Sequence, residues 1–436
     1  MDFRTSISPL YYVSKIIGIA PFSCGNKICV DRQHKNTNIL PPAVVWSSLV
    51  FLFHLTSCMC IMVWSILYDY GGYTLSVTVP DAVTIFLMYS TCLASLAGAV
   101  LYRRRTETFI MNFIIIDQIL LQENRDRVYR KTRFILLIEL SLIFPLLIGF
   151  SCYHVYVWSY GTSYIYLIAK DMTNFSNIIS VIQYINIMQI LRHRFRILNK
   201  SLATSCDSKS PISNQSLSKH QHVPNSTIKS TTQIQNSANN LIKSPIAQNY
   251  FLHSELSMPI KNQISEEVSR VNTLRQAYSD LYDITELINK IYGYRILLEI
   301  AYNFVSLVSY LFYALEVLTK DKKTGDRNGT DESSIMLQVA SSLCWVTQNM
   351  VRAFAVSASC FAASDEARRT GSVVHKLLLR QTLKGDTSAE LQLFWSQLMS
   401  NKVEFTAAGF FTVNLSLVYS MVGAATTYII ILIQLN

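Results

Sequence analysis

Ser341, Ser342, Trp345, Gln348 and Asn349 gather hydroxyl and amide groups within about one helical turn of a flat aromatic ring. An indole face suits the C–H face of a sugar, and hydroxyl and amide groups supply donors and acceptors for its hydroxyls. Such a set could hold a polyol, and it could equally be helix packing. Groups of the same kinds recur in apolar runs nearby: Tyr153, Tyr156 and Trp158; Tyr164, Asp171 and Asn174; Tyr302, Ser306, Tyr310 and Tyr313; and Gln338. They cannot all face one site, because tyrosine and tryptophan also populate the interfacial belt of any membrane-spanning chain. Bond-making chemistry finds no foothold. The sequence has no phosphate-cradling glycine loop, no HExxH and no ligand-spaced cluster among its eight histidines, so no enzyme, metal or cofactor is expected.

What must position these groups is a set of long apolar helices. Half of the 436 residues are apolar and 15% are charged, the charges lying in short stretches between apolar runs. That is the composition of a chain crossing a membrane many times. A hydrocarbon core of roughly 30 Å asks for about 20 apolar helical residues. Seven stretches meet or approach this: 43–68, 81–102, 133–158, 163–192, 293–318, 333–362 and 406–435. The predicted class is therefore all-α, a polytopic membrane protein with seven transmembrane helices. Lys170, Asp171, Thr173 and Asn174 interrupt the fourth stretch. A charge at the bilayer centre costs about 3 kcal/mol, so these residues either lie beyond the bilayer or face a wet cavity inside the bundle. The apolar run of the first 23 residues is short and broken by polar groups, unlike a cleaved signal peptide, so insertion is expected to begin at the first span. The nine cysteines have no paired spacing and read as small apolar residues.

Orientation follows from lysine and arginine. Eight of them lie between 103 and 133, whereas 69–80 and 159–162 hold none. The basic side is cytoplasmic, with the amino end inside and the carboxyl end outside. The plan is then a cytoplasmic segment at 1–42, spans one to four within 43–198, and a cytoplasmic loop at 199–262. Residues 199–249 contain no aromatic residue and are dominated by polar ones, so that loop is expected to be disordered. A helix over 263–318 carries Ile264, Val268, Val271, Tyr278, Leu281, Ile288 and Ile291 on one stripe and runs into span five. An outer loop at 319–332 follows, with a glycosylation acceptor at Asn328. Span six is 333–362. A cytoplasmic anchor at 363–405 holds a short helix, starting at the capping box Thr387 to Glu390 and burying Leu391, Phe394, Trp395 and Leu398. Span seven is 406–436. The two stripes imply a packed intracellular base, through contacts within one chain or between subunits. The net charge of +10 belongs to inner loops facing anionic lipid, so no nucleic acid partner is implied.

From Phe405 to Asn436 the chain is uncharged, yet Ser416, Ser420, Gly423, Thr427 and Gln434 recur at steps of four, three, four and seven. They share one helix face. Such a face makes a helix interface, or lines a pore when several copies surround an axis, closed here by a hydrophobic ring near Ile431 and Leu435. The two readings are compatible.

Thr427-Tyr428, five apolar residues and then Gln434 resemble the carboxyl-terminal signature of insect gustatory receptors, with Leu435 where that family usually has Phe. Tyr12 to Lys15, Ala20-Pro21, Arg352 through Cys360 to Thr370, and Phe394 to Leu398 are similar as well, most like the fructose-receptor branch. The resemblance covers the chain apart from the polar loop. It implies a tetrameric, ligand-gated, non-selective cation channel in the plasma membrane of a sensory neuron, as a homotetramer or with another gustatory receptor. The seventh helices would surround the pore, with Gln434, Leu435, Ile431, Thr427 and Ser420 as pore and gate residues. A pocket in the outer half would use Trp345, Ser341, Ser342, Gln348, Asn349, Tyr302, Ser306, Tyr310, Tyr156, Trp158 and Asp171. Its ligand would be a sugar, D-fructose first, with an inositol-type polyol or a bitter compound as alternatives; membrane lipids and permeant cations complete the partners. A G-protein-coupled receptor also has seven spans, but span seven lacks Asn-Pro-x-x-Tyr, Asp126-Arg127 precede span three, and the basic residues invert the topology. A secondary transporter would show internal repeats or paired broken helices, and the sequence has neither.

Overall fold

The computed structural model of the chain describes residues 2–22, 41–65, 67, 75–121, 124–158, 163–207, 245–324, 331–379 and 385–435, excluding the side chains of 75–77, 205–265, 320–334, 385, 432–433 and 435. Among the described residues are ten helices and one short hairpin. In chain order they are α1 (Phe3–Ile16), α2 (Pro42–Trp64), α3 (Leu75–Leu101), α4 (Arg103–Leu120), α5 (Arg125–Trp158), α6 (Tyr164–Asp207), α7 (Pro245–Thr324), α8 (Asp331–Leu378), α9 (Gly385–Ser400), β1 (Thr406–Ala407), β2 (Phe411–Thr412) and α10 (Leu415–Leu435). The all-α class is borne out. Pro42–Trp64, Thr78–Leu101, Arg125–Trp158 and Glu266–Thr319 are long and apolar enough to cross a membrane, and Leu415–Ile431 is a shorter apolar helix. The polar groups that dilute α6 turn inward: Lys170, Asp171, Thr173 and Asn174 are all buried.

The chain divides into two compact units, Met1–Phe195 with Asp280–Ala367 and Val403–Asn436, and Arg196–Ser279 with Arg368–Lys402. In the first, α1 is amphipathic and buries Phe3, Ser6, Leu10 and Ser14 at steps of three and four, with Tyr11 beside Leu10. Leu10 joins Leu136, Leu140 and Leu147 of α5 and Ile178, Ile179 and Ile182 of α6 in one apolar cluster. A second cluster joins α2, α3 and α7 through Ile61, Ile85, Met88, Tyr89 and Tyr302. The basic stretch 103–133 is not a simple loop. Its first part is α4, whose Phe109, Ile110, Phe113, Ile116, Asp117 and Leu120 all point inward. Asp117 accepts from Arg194 Nε and Nη2 at 2.7 and 2.8 Å and from the Tyr129 hydroxyl at 2.8 Å, tying α4, α5 and α6 together.

The apolar run from Phe405 does not begin as a helix. Residues 406–412 form a hairpin, Thr406 opposite Thr412 and Ala407 opposite Phe411, with Ala408 at φ 52° and Gly409 at φ 81° in the turn; α10 starts only at Leu415. The hairpin is clamped to α7. Asn289 Nδ2 donates to the Glu404 carbonyl at 2.9 Å and its Oδ1 accepts from Thr406 N–H at 3.2 Å. Gly293, one turn on, lets the turn approach: a Cβ there would lie 3.0 Å from Ala408 N and 3.3 Å from its Cα. Gly293→Val is therefore expected to destabilise the protein by about 1–3 kcal/mol through overpacking, read as a lower melting temperature and less protein at the cell surface. Gly98→Ala is the control, because its nearest neighbour would be Tyr102 Cδ2 at 4.0 Å; an equal loss there would remove the hairpin from the explanation.

The second unit holds part of the first expected stripe and the second stripe, while Leu281, Ile288 and Ile291 belong to the first unit. Val271, Leu274 and Tyr278 are buried, as are Leu391, Phe394 and Leu398. Tyr278 meets Phe394 edge-on at 5.7 Å and donates to the Asn401 carbonyl at 3.1 Å. The helix α9 begins at Gly385, ahead of Thr387, and Glu390 pairs with Arg275 at 3.5 Å in place of closing a capping box. The expected disordered loop loses both flanks: α6 continues to Asp207, and α7 begins at Pro245. Residues 208–244 and the expected glycosylation site Asn328 lie outside the described residues.

Candidate functional site

The inward faces of α5, α6, α7 and α8 carry polar and aromatic side chains in three layers. Nearest the ends of the helices, Trp158 Nε1 donates to Ser341 Oγ at 3.2 Å and its ring lies 5.7 Å from that of Tyr313. The Tyr313 hydroxyl in turn donates to Gln338 Oε1 at 3.2 Å, and Tyr153 donates to the Leu337 carbonyl at 3.1 Å.

The middle layer centres on Trp345, 1% exposed. Tyr310 stacks on it at 5.6 Å and 14°, while Phe150 and His154 meet it edge-on at 5.0 and 5.4 Å. Lys170 Nζ lies 5.7 Å from the Trp345 ring centroid, and His154 Nδ1 is 2.9 Å from Asp171 Oδ1. Lys170 thus draws on the indole quadrupole and Asp171 on the imidazole. In this arrangement Tyr310 covers an indole face that a sugar would use.

The third layer is charged. Asn174 Oδ1 accepts from Gln348 Nε2 at 3.1 Å and Arg352 Nη1 at 3.2 Å. Arg352 pairs with Glu299, stacks 5.3 Å over Tyr302, and shares Glu299 Oε1 with Asn303 Nδ2. Buried polar groups are normally partnered, yet among the described residues Tyr310 Oη, Asp171 Oδ2 and Asn303 Oδ1 are buried with none.

The residues expected at a site divide accordingly. Trp345, Ser341, Gln348, Tyr310, Tyr302, Trp158 and Asp171 come together in these layers, with Asn349 and Ser306 buried on the same helices. Ser342 is buried but spends its hydroxyl on the Gln338 carbonyl at 3.1 Å. Tyr156 and Tyr164 stay apart, at 64% and 61% exposed. Sequence reasoning missed His154 and Glu299, and named Lys170 and Arg352 without placing them at the site. An ionisable residue within an apolar span was the available signal.

The other expected group lies along α10. Met421 and Ala425 are buried, the latter clustered with Leu307 and Val308 of α7. Most of the remaining surface is exposed, including Ser420, Thr427, Ile431 and Gln434. Ser420 and Thr427 donate to the carbonyls of Ser416 and Gly423 at 3.1 Å, so this face keeps its hydroxyls satisfied while presenting them. The Leu435 side chain is outside the described residues.

The family model described as 7tm chemosensory receptor matches residues 7–435. Gustatory receptor 28b of Drosophila melanogaster is 32% identical over 146 residues, 34% of this chain and 30% of that protein. Gustatory receptor 28a of the same fly is 25% identical over 341 residues, 77% of this chain and 71% of that protein. Gustatory receptor for sugar taste 43a, again from Drosophila melanogaster, is 24% identical over 190 residues, 42% and 41% of the two chains. The match to receptor 28b thus spans less than a third of that relative's length. Among solved structures, the olfactory receptor OR5 from Machilis hrabei has a TM-score of 0.63 at 12% identity, covering 99% of this chain and 98% of that one. Its complex with eugenol gives 0.58 at 13%, covering 100% and 99%. This likeness shows the fold.

Proposed function

This chain belongs to the 7tm chemosensory receptor family, and on that premise we propose that it acts as a ligand-gated, non-selective cation channel in the plasma membrane of a sensory neuron. The pore is built by α10 from four copies, or from copies mixed with another gustatory receptor, and the ligand is a small hydroxylated molecule, D-fructose first. The observation that carries this reading is the enclosed layer around Trp345, with unpartnered Tyr310 Oη and Asp171 Oδ2 among aromatic walls. A polyol entering from the Trp158 end separates Tyr310 from Trp345 and satisfies those groups.

Gating follows from what stands beside Tyr310. Leu307 and Val308, three and two residues before it, are α7 side chains against which Ala425 of α10 packs. Moving Tyr310 therefore moves the seam between α7 and α10. Opening a gate from about 1% to 99% needs roughly 5.5 kcal/mol of differential binding, which four coupled sites share at under about 2 kcal/mol each. Millimolar affinity corresponds to only about 4 kcal/mol, within reach of a few hydrogen bonds and one aromatic contact.

A second reading keeps the channel and changes the ligand to an apolar or bitter compound. Phe150, His154 and Tyr310 already pave the Trp345 layer with rings, and the eugenol complex shows an aromatic guest in a receptor of this fold. Whole-cell current in cells expressing the chain alone, with G-protein signalling blocked, separates the two. A rapid cation current to D-fructose supports the first; current only to apolar compounds supports the second; silence from chains verified at the surface counts against self-sufficient channel activity. In the same cells Leu435→Ala is expected to raise the ligand-free leak several-fold, and an unchanged leak would take Leu435 out of the gate.

A further inference from the structure

The helix α5 has two opposite faces. At 3.6 residues per turn its buried residues, Tyr129, Leu136, Leu140, Leu147 and His154, fall on one side. Arg127, Arg130, Lys131, Phe134, Ile138 and Leu142 fall within an arc of about 120° on the other, and all of them are exposed. The outward face is therefore cationic at its start and apolar from Phe134 on. Phe134 to Leu142 spans about 12 Å at 1.5 Å per residue, within the roughly 15 Å depth of one leaflet. That is the profile of a helix whose foot stands among lipid headgroups.

The cations at that foot outnumber their partners in the protein. Between 125 and 138 the chain has five arginines and lysines against one acid, Asp126. Asp126 lies beside Arg125 and Arg130, and Arg130 Nε donates to the Asp126 carbonyl at 3.4 Å. Among the described residues no carboxylate pairs with Arg127, Lys131 or Arg133. The basic run at the start of α4 is differently disposed: Arg103 lies 3.6 Å from Glu107, and Arg105 stands 5.3 Å over the Tyr102 ring. Of the two runs, only the one on α5 presents its charges together and largely unanswered.

We infer that the foot of α5 is a site for a polyphosphorylated inositol lipid of the inner leaflet, its headgroup on Arg127, Arg130 and Lys131 and its acyl chains along Phe134, Ile138 and Leu142. Clusters of about four or more basic residues just inside a spanning helix draw such headgroups, and Arg133 on the flank completes four. Each phosphate monoester carries about −1.5 to −2 charges. Neighbouring cations one turn apart match that density, which a serine headgroup does not reach. Guanidiniums bind phosphate oxygens in pairs, and the long stems of Arg and Lys lie along the apolar face while their heads stay at the interface. The inference rests on the orientation read from the basic residues, which puts this end of α5 on the cytoplasmic side, and not on the identity of the ligand at Trp345. Phe150 and His154, farther along the same helix, meet Trp345 edge-on, so the lipid holds one end of a helix that walls the ligand layer with the other.

The test titrates full-length receptor, purified in an uncharged detergent, with dioctanoyl phosphatidylinositol bisphosphate, dioctanoyl phosphatidylserine and inositol trisphosphate, and reads binding by thermophoresis. The bisphosphate lipid is expected to bind about tenfold more tightly than either of the others, since the serine lipid lacks its charge and the trisphosphate its chains. Arg127→Gln, Arg130→Gln and Lys131→Gln together should weaken it about a hundredfold, each cation contributing about fivefold. All three side chains are exposed, so the melting temperature of the lipid-free protein should not change. Lys131→Glu is the second variant, expected to weaken binding by about fivefold or more. Arg103→Gln, Arg104→Gln and Arg105→Gln together remove the same charge and should leave the affinity close to that of the wild type. Equal binding of the serine lipid, equal binding of the trisphosphate, equal losses in the two triple variants, or an indifferent Lys131→Glu would each overturn the assignment. None of these readouts requires the channel to open.

Discussion

Asp117→Ala is expected to remove most of the folded protein from the cell surface. The substitution leaves Arg194, 2% exposed, without the carboxylate that meets both its Nε and Nη2. Stranding one member of a buried pair costs about 3–5 kcal/mol, set against a total stability of about 5–15 kcal/mol. The pair itself is worth little, because removing both ions from water offsets most of their attraction. Asp117→Leu combined with Arg194→Met is therefore expected to recover much of the loss, and Tyr129→Phe to cost only about 0.5–1.5 kcal/mol. Surface fraction and melting temperature of the purified receptor read all three. A double variant as unstable as the single one would mean that the site needs charge, not merely its balance.

Trp345→Ala is expected to abolish the ligand response, with at least a hundredfold loss of sensitivity. That result alone is ambiguous. Emptying a fully buried indole costs about 3–5 kcal/mol of stability whatever the residue does. Tyr310→Phe resolves the ambiguity, since it deletes a hydroxyl that has no hydrogen-bond partner in the structure and keeps the ring on Trp345. It should leave the melting temperature unchanged and shift the dose–response curve about tenfold, the equivalent of one hydrogen bond of about 1.4 kcal/mol. A variant with wild-type sensitivity would place Tyr310 in the packing and the ligand elsewhere.

The apolar runs made the membrane helices legible, and the residues that resist the bilayer proved more informative than those that suit it. Lys170, Asp171 and Asn174 blurred the fourth span in the sequence, and in the fold they face inward onto His154, Trp345 and Arg352. Hydropathy averages over a helix and cannot say which side a polar group occupies, whereas the partners that fix the side lie on other helices far along the chain. The short helix α4 was hidden for a related reason. Arg103, Arg104 and Arg105 mark a cytoplasmic boundary so strongly that the stripe of Phe109, Phe113, Ile116 and Leu120 behind them reads as part of a loop. Trp345 was legible as a centre, but Tyr310 covering its face was not, because stacking depends on the relative rotation of α7 and α8. The hairpin before α10 left a faint trace, Gly409 in an apolar run, and its register rests on Asn289 and Gly293 more than a hundred residues earlier.

That hairpin sets the mechanics of α10. The hairpin is fastened to α7 at two points ahead of the helix, while the far end of α10 carries Gln434. A straight helix of 21 residues is about 31 Å long at 1.5 Å per residue, so a swing of about 5° carries its tip about 2.7 Å. Hinge and lever arm are thereby separated: the least movement falls where the chain is riveted, and the widest where the pore would be narrowest. If α10 lines a pore as proposed, a receptor built this way would convert a small shift at the hinge into an aperture comparable to the width of an ion.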